Sequence, residues 1–409
     1  ETTARPLHPA NPTPTGLHRL VIVGGIGVTQ TVAWASTLYL VGILADPMSA
    51  DLGISTTGIF AAFSAALVLS AVVAPRTGQI IDNGGGRAVL IISNLLFALG
   101  LCVLAAANGP VMLWGAWAIL GIAMGLGLYD PAFAVAGYIF GDTARSAITG
   151  ITLIAGFAST VGWPLTTWGE AELGWRYTCV AWAVAHILLA LPLHLALLPR
   201  RRTAPVAEPA DQSAAEGDTG KPALTLDRNM ILLAIAFAAL SVVSIGMAAH
   251  LPRVLEIAGA TTTQAVAAAA LLGPAQVAAR VVEARFLARY HPMVGLNIAT
   301  LSHPIAAALL LGGGTFFSGI AGLLAMPFTI IHGAGNGILT IARGTVPLAL
   351  WGSDNYGYRL GLIGIPSRVA VAAGPLALGA LIEWRGAEVL VWTASASALA
   401  FAALVFVKR

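Results

Sequence analysis

The sequence predicts an all-α membrane protein of twelve transmembrane helices arranged as two pseudo-symmetric six-helix bundles. Three observations carry that prediction. Hydrophobic residues make up 57% of the 409 positions and charged residues 10%, against about 25% charged in a soluble protein; mean hydropathy is +0.84. The apolar residues gather in runs of about 20, long enough to cross a bilayer as helices, and they lack the alternation that barrel strands require. One long polar stretch, rich in Pro, Glu and Asp, divides these runs six and six.

The helices are expected at residues 20–45, 56–77, 88–107, 110–139, 147–168, 175–197, 229–250, 263–285, 293–312, 317–343, 360–382 and 388–407. Residues 1–19 read as a disordered lead-in: they are rich in Pro and Thr and have no apolar core of a signal peptide. The first bundle then occupies 20–198, a flexible cytoplasmic linker 199–228, and the second bundle 229–409. With the amino terminus inside, only Arg176, Arg253 and Arg385 fall near outer loops, whereas the reverse topology would expel Arg200, Arg201 and Arg202 together. Positive loops stay in the cytoplasm, so both termini are expected there, in the inner membrane of a bacterium.

Several function classes drop out. The net charge of +3 is spread through loops, not gathered on one face as nucleic-acid binding needs. There is no G-x-x-x-x-G-K-[ST] loop for ATP, and Gly24-Gly25-Ile-Gly27 lies inside a helix, not after a strand. Cys102 and Cys179 sit in apolar runs, so neither a disulfide framework nor a cysteine metal site is expected. No cofactor and no enzymatic activity are expected; a receptor would need an attached signalling domain. The energy source is then an ion or solute gradient.

The halves resemble each other. A shift of 206 residues lays Gly53-Ile-Ser-Thr-Thr57 on Gly259-Ala-Thr-Thr-Thr263, Gly125-Leu-Gly127 falls near Gly335-Asn-Gly337, and Arg145 meets Arg359. Parallel repeats suit a transporter whose halves rock about a central site. After helix 2 the chain reads Gly78-Gln-Ile-Ile-Asp82-Asn83-Gly84-Gly85-Gly86-Arg87. This resembles the loop 2–3 signature of the major facilitator superfamily, G-x-x-x-D-R-x-G-R-[RK], matching at Gly78, Asp82, Gly85 and Arg87 and departing at Asn83 and Gly86. The resemblance implies a gating role for this loop, with Asp82 bonding Arg145 or the start of helix 11 when the outside is open. Gly53-Ile-Ser, Leu128-Tyr-Asp130-Pro-Ala-Phe133 and Gly174-Trp-Arg176 resemble the branch near the bacterial monocarboxylate and oxalate porters; an arsenite-efflux branch is also similar.

Ionisable side chains at bilayer depth are costly, about 2.5–3.5 kcal/mol on the insertion scale, and face a cavity or a partner. Arg280 on helix 8 is the first candidate for binding an anion, since its planar fork takes an oxyanion in two parallel bonds. Gln276 lies one turn above it and Glu283 almost one turn below, on the same face. Arg280 and Glu283 are expected to neutralise each other or to clamp the bundles. In monocarboxylate transporters an acidic residue stands where this chain has Gln276, which leaves proton coupling to Asp130, Glu283 or His332. A carboxyl that gains and loses a neighbouring cation changes its proton affinity, and imidazole titrates near neutrality. Gln30 and Trp34 on helix 1, and Asn336 one turn from His332, complete a candidate substrate wall. The expected function is proton-coupled transport of a small organic anion by a monomer, its partners being the solute, protons and lipid. The rival is proton-driven efflux of a drug or arsenite.

Overall fold

The computed structural model describes residues 14–199, 226–316 and 321–408. Among them, nine continuous helical stretches are long and apolar enough to cross a membrane. Two are too long for one crossing. Pro110–Leu197 turns back at the short Gly141–Thr143 segment and again at Gly174, whose φ of 79° interrupts the helix; Tyr356–Val405 turns at Gly386, φ 56°. Counting three crossings in the first and two in the second gives twelve.

In chain order these are α1 (Gly16–Leu52), α2 (Thr56–Gly84) and α3 (Arg87–Ala105); α4, Pro110–Gly127 continuing as Tyr129–Phe140; α5 (144–173) and α6 (175–197); α7 (Arg228–Ile257) and α8 (Thr262–Leu287); α9 (Pro292–Phe316), α10 (Ala321–Trp351), α11 (Tyr356–Arg385) and α12 (Val389–Val405). Two of the four buried apolar clusters are built almost wholly from α1–α6 and two from α7–α12; Tyr356 and Leu360 of α11 are buried in a cluster of the first half.

The sequence repeat has a physical basis. Gly53 and Gly259 both adopt positive φ, 63° and 105°, which ends the preceding helix without a Cβ clash. Two residues later a hydroxyl caps the next helix: Ser55 accepts from the Gly58 amide at 3.1 Å, and Thr261 accepts from the Gln264 amide at 3.3 Å. The Gly174-Trp-Arg176 corner is fixed by Arg176, which donates to Ala105 O, Ala107 O and the Asp51 carboxylate.

Several boundaries differ from expectation. α1 is helical from Gly16, inside the expected lead-in; residues 1–13 lie outside the described residues, as do 200–225 of the linker. Asp227 already caps α7 by accepting from the Met230 amide at 2.8 Å, so Arg228 is helical. α2 continues to Gly84, which places Gly78, Asp82 and Asn83 on its last turns and leaves Gly85 and Gly86, both with positive φ, as the turn. Arg145 lies in the first turn of α5 rather than in the preceding loop.

Helix α4 breaks at Leu128, whose backbone is extended. Pro131 has no N–H, so the Gly127 carbonyl four residues back loses its helical donor. Gln30 on α1 replaces it, donating from Nε2 at 2.7 Å. Asp130 therefore sits in the first turn of a new helical segment. A stranded carbonyl costs about 1–3 kcal/mol, so Gln30→Leu is expected to lower the thermal unfolding midpoint. Adding Pro131→Ala, which returns an N–H to the helix, is expected to recover part of that loss in the double variant.

Candidate functional site

On the side of the protein where residues 16, 199, 226 and 408 lie, charges of one half answer helix ends of the other. Asp82, at the end of α2, accepts from the Gly357 and Tyr358 amides at 2.8 and 2.9 Å. These are unpaired donors in the first turn of α11, where the helix dipole also favours an anion. Gly78 permits the approach, because a Cβ there would collide with the Gly357 carbonyl. At the other crossing Arg145 on α5 donates to the Leu287 and Tyr290 carbonyls at 3.2 and 2.6 Å and reaches Glu283 at 3.4 Å, placing a cation at the carboxyl end of α8. The start of α11, not Arg145, is thus the partner of Asp82. Gly85 and Arg87 do not bridge the halves. Arg87 donates to Leu195 O and Leu198 O and ties α3 to the end of α6, while Gly85 turns beside Tyr138.

Deeper in, the expected mutual neutralisation of Arg280 and Glu283 is not found. Glu283 opens a π-helical turn, Glu283–Leu287, and pairs with Arg145 of the other half. Arg280, 5% exposed, has no carboxylate at ion-pair distance among the described residues. It donates to the Thr152 carbonyl on α5 at 3.0 Å and to Thr340 Oγ1 on α10 at 3.4 Å. Gly156 on α5 leaves room for its guanidinium.

Asp130 pairs with Arg368 of α11 at 2.7 Å, in space left by Gly364. Arg343 of α10 donates to Ser241 on α7 and lies within electrostatic reach of both Asp130 and Arg368. Sequence reasoning singled out neither arginine. Arg343 coincided with the expected end of helix 10, which runs on to Trp351. Arg368 carried a readable signal, a cation in the middle of an apolar run.

Aromatic rings adjoin this charge. Trp34 packs on Tyr129 with centroids 4.9 Å apart and reaches Tyr39 at 6.5 Å, and Tyr129 stacks on Phe133 at 5.2 Å. Tyr39 and Tyr129 both lie within electrostatic reach of Arg280. Trp34 Nε1, Arg280 Nε, Arg343 Nε and Arg368 Nη1 are buried donors with no partner among the described residues, and Gln30 Oε1 is a buried acceptor in the same condition. Gln276 is half-buried, with Gly337 packed on its backbone. His332 is buried and bonded on both nitrogens, to His303 at 3.0 Å and to Asn336 at 3.2 Å.

Twelve crossings with a repeat of six, a glycine-mediated crossing of α2 and α11, and polar groups gathered between the halves describe a solute carrier. Residues 26–329 match the family model of the Major Facilitator Superfamily. The chain belongs to the major facilitator superfamily. It is accordingly a multi-pass membrane protein and a secondary transporter of small solutes, not an enzyme. The fold of this facilitator is similar to that in the crystal structure of the human organic anion transporter MFSD10 (TETRAN): the TM-score is 0.65 at 18% identity, over 95% of this chain and 100% of that one. An uncharacterized 38 kDa protein in the 23S RNA operon of Thermoproteus tenax is 30% identical over 158 residues, 38% of this chain; the match spans 41% of that relative's length.

Asp82→Ala removes two charge-assisted bonds between the halves of this facilitator, each worth about 1.5–3 kcal/mol. A cysteine at the buried position Thr77, in a chain with Cys102 and Cys179 replaced by Ser, is expected to react with a water-soluble maleimide at least about tenfold faster when Asp82→Ala is added.

Proposed function

We propose that this facilitator carries a small organic anion of monocarboxylate-like size by proton-coupled alternating access, with its linker side facing the cytoplasm of a bacterium. The observation that carries the reading is the surplus of cation at the centre. Arg343 lies within electrostatic reach of Asp130 and Arg368, Asp130 being the one carboxylate paired among them within the described residues, and Arg280, bonded to Thr340 one turn from Arg343 and within electrostatic reach of Tyr129 beside Asp130, adds a third cation. Cations in an apolar surround need an answering charge, and unpaired N–H groups on all three arginines and on Trp34 point to an oxyanion with several lone pairs. The human fold neighbour is titled an organic anion transporter, which agrees with the reading without carrying it.

The steps follow from the contacts. An anion entering from the side away from the linker binds Arg280 and draws its guanidinium from the Thr152 carbonyl, loosening α5 from α8. It also competes with Asp130 for Arg368. Freed from its cation, Asp130 takes a proton, and with that charge neutralised the halves rock apart on the linker side as the Asp82 and Arg145 caps release. Glu283, left by Arg145 in that movement, is a second proton acceptor, while His332 supports Asn336 from behind. Arsenite efflux has less support: it needs thiolates, and Cys102 and Cys179 lie on α3 and α6, away from the central arginines. A lipophilic cation would meet net positive charge.

Carboxylate uptake into proteoliposomes under an imposed pH gradient tests the reading. Arg280→Ala is expected to cut saturable uptake at least about tenfold, the loss of one charge-assisted bond pair. Asp130→Asn is expected to lose gradient-driven accumulation while keeping anion exchange. Undiminished uptake by Arg280→Ala would overturn the proposal.

A further inference from the structure

The hydrogen bonds behind Asn336 fix which way its amide faces. Thr393 Oγ1 on α12 lies 2.9 Å from Val389 O and 3.2 Å from Leu390 O, placed to give its one proton to its own helix. With that proton on the main chain, the bond to His303 Nε2 at 2.9 Å is donated by the imidazole, the arrangement that agrees with the Asn336 amide nitrogen facing His332. A neutral imidazole carries a single N–H, which leaves His303 Nδ1 bare to accept from His332 Nδ1–H at 3.0 Å. By the same rule His332 Nε2 is bare and accepts from Asn336 Nδ2 at 3.2 Å. Polarity passes unbroken from Thr393 to Asn336, whose amide nitrogen faces the histidine and whose Oδ1 accepts no hydrogen bond from the described residues.

That oxygen belongs to the central site. Asn336, Thr340 and Arg343 fall on one stripe of α10; Thr340 accepts from Arg280 and donates to the Asn336 main-chain carbonyl at 3.0 Å. The first half holds a comparable chain that ends differently. Asn94 donates to Leu90 O and to His194 Nδ1 and accepts from His186 Nδ1, while the outer nitrogens of the two histidines meet Thr29 and Ser36. Every member there is buried, and no amide atom is left over.

We propose that Asn336 is a specificity-determining residue presenting one hydrogen-bond acceptor beside the central arginines, so that the transported anion carries a hydrogen-bond donor, a hydroxyl or an ammonium group, besides its carboxylate. This rests on the organic-anion reading above. His332, His303 and Thr393 are positioning residues that set the direction of the amide. The rise from Asn336 to Thr340 is roughly 6 Å, which suits a donor carried three or four carbons along from the carboxylate.

Equilibrium binding of butanoate, its 2-, 3- and 4-hydroxy derivatives and 4-aminobutanoate to the purified full chain tests the proposal and separates hydroxyl from ammonium. The best substituted acid is expected to bind at least about tenfold more tightly than butanoate. Asn336→Ala is expected to bring that ratio near one. Thr393→Val touches no solute but frees the chain to reverse, and is expected to erode the ratio, whereas Thr393→Ser keeps it; a packing role would not separate these two variants in this way. Wild-type protein that binds butanoate as tightly as every substituted acid, or an unchanged ratio in Asn336→Ala, overturns this inference alone. Failure to bind any carboxylate overturns the organic-anion reading with it.

Discussion

Arginine side chains between two apolar bundles impose the constraint from which the rest of this structure follows. A guanidinium cannot shed its charge at physiological pH, so each must be met by oxygen atoms wherever it is held. Arg368 finds a carboxylate in Asp130, Arg343 a hydroxyl in Ser241, and Arg280 a main-chain carbonyl and a threonine. Those answers are unequal in charge, and the deficit is left at the centre. Local backbone features serve the same end: Gly156 and Gly364 supply room for the guanidinium of Arg280 and for the Asp130–Arg368 pair, and Pro131 with Gln30 sets the break that puts Asp130 at a helix start.

Closure on the linker side uses a different economy of charge. Asp82 and Arg145 address helix ends of the opposite half more than they address side chains. Helix-end amides and carbonyls are otherwise left for water, so in the proposed separation of the halves hydration recovers part of what the loss of these contacts costs. Close passage of α2 over α11, at Gly78 against Gly357 and at Pro75 against Gly361, brings the two backbones together, with Tyr356 and Leu360 of α11 buried among side chains of the first half.

Much of this was legible in the sequence. Helix number and the repeat were readable because both rest on local chemistry: apolar length, and a left-handed glycine followed by a hydroxyl cap. Asp82 was readable through its motif, and Arg280 and Asp130 through the cost of charge in lipid. The start of helix 11 was one of the two partners expected for Asp82, but the partners of Arg280 and Asp130 were not readable. Ordinary helical spacing makes Arg280 and Glu283 neighbours, but the π-helical turn at Glu283 sends that carboxylate to Arg145 instead. Arg343 was hidden by a helix boundary, and Arg87 by the assumption that a gating motif acts as one unit when its last residue in fact secures α6. Gln30 offered no sequence signal for capping a carbonyl on another helix, since only the fold brings Gly127 to it.

The sign of the charge that the site accepts is tested most directly by a binding comparison at fixed pH. Carboxylates and lipophilic cations titrated in turn into the purified transporter, at low and high salt, should give saturable binding of carboxylates that weakens as salt rises, with the cations neither binding nor displacing them. Saturable binding of a lipophilic cation, undisturbed by carboxylates, would contradict the account.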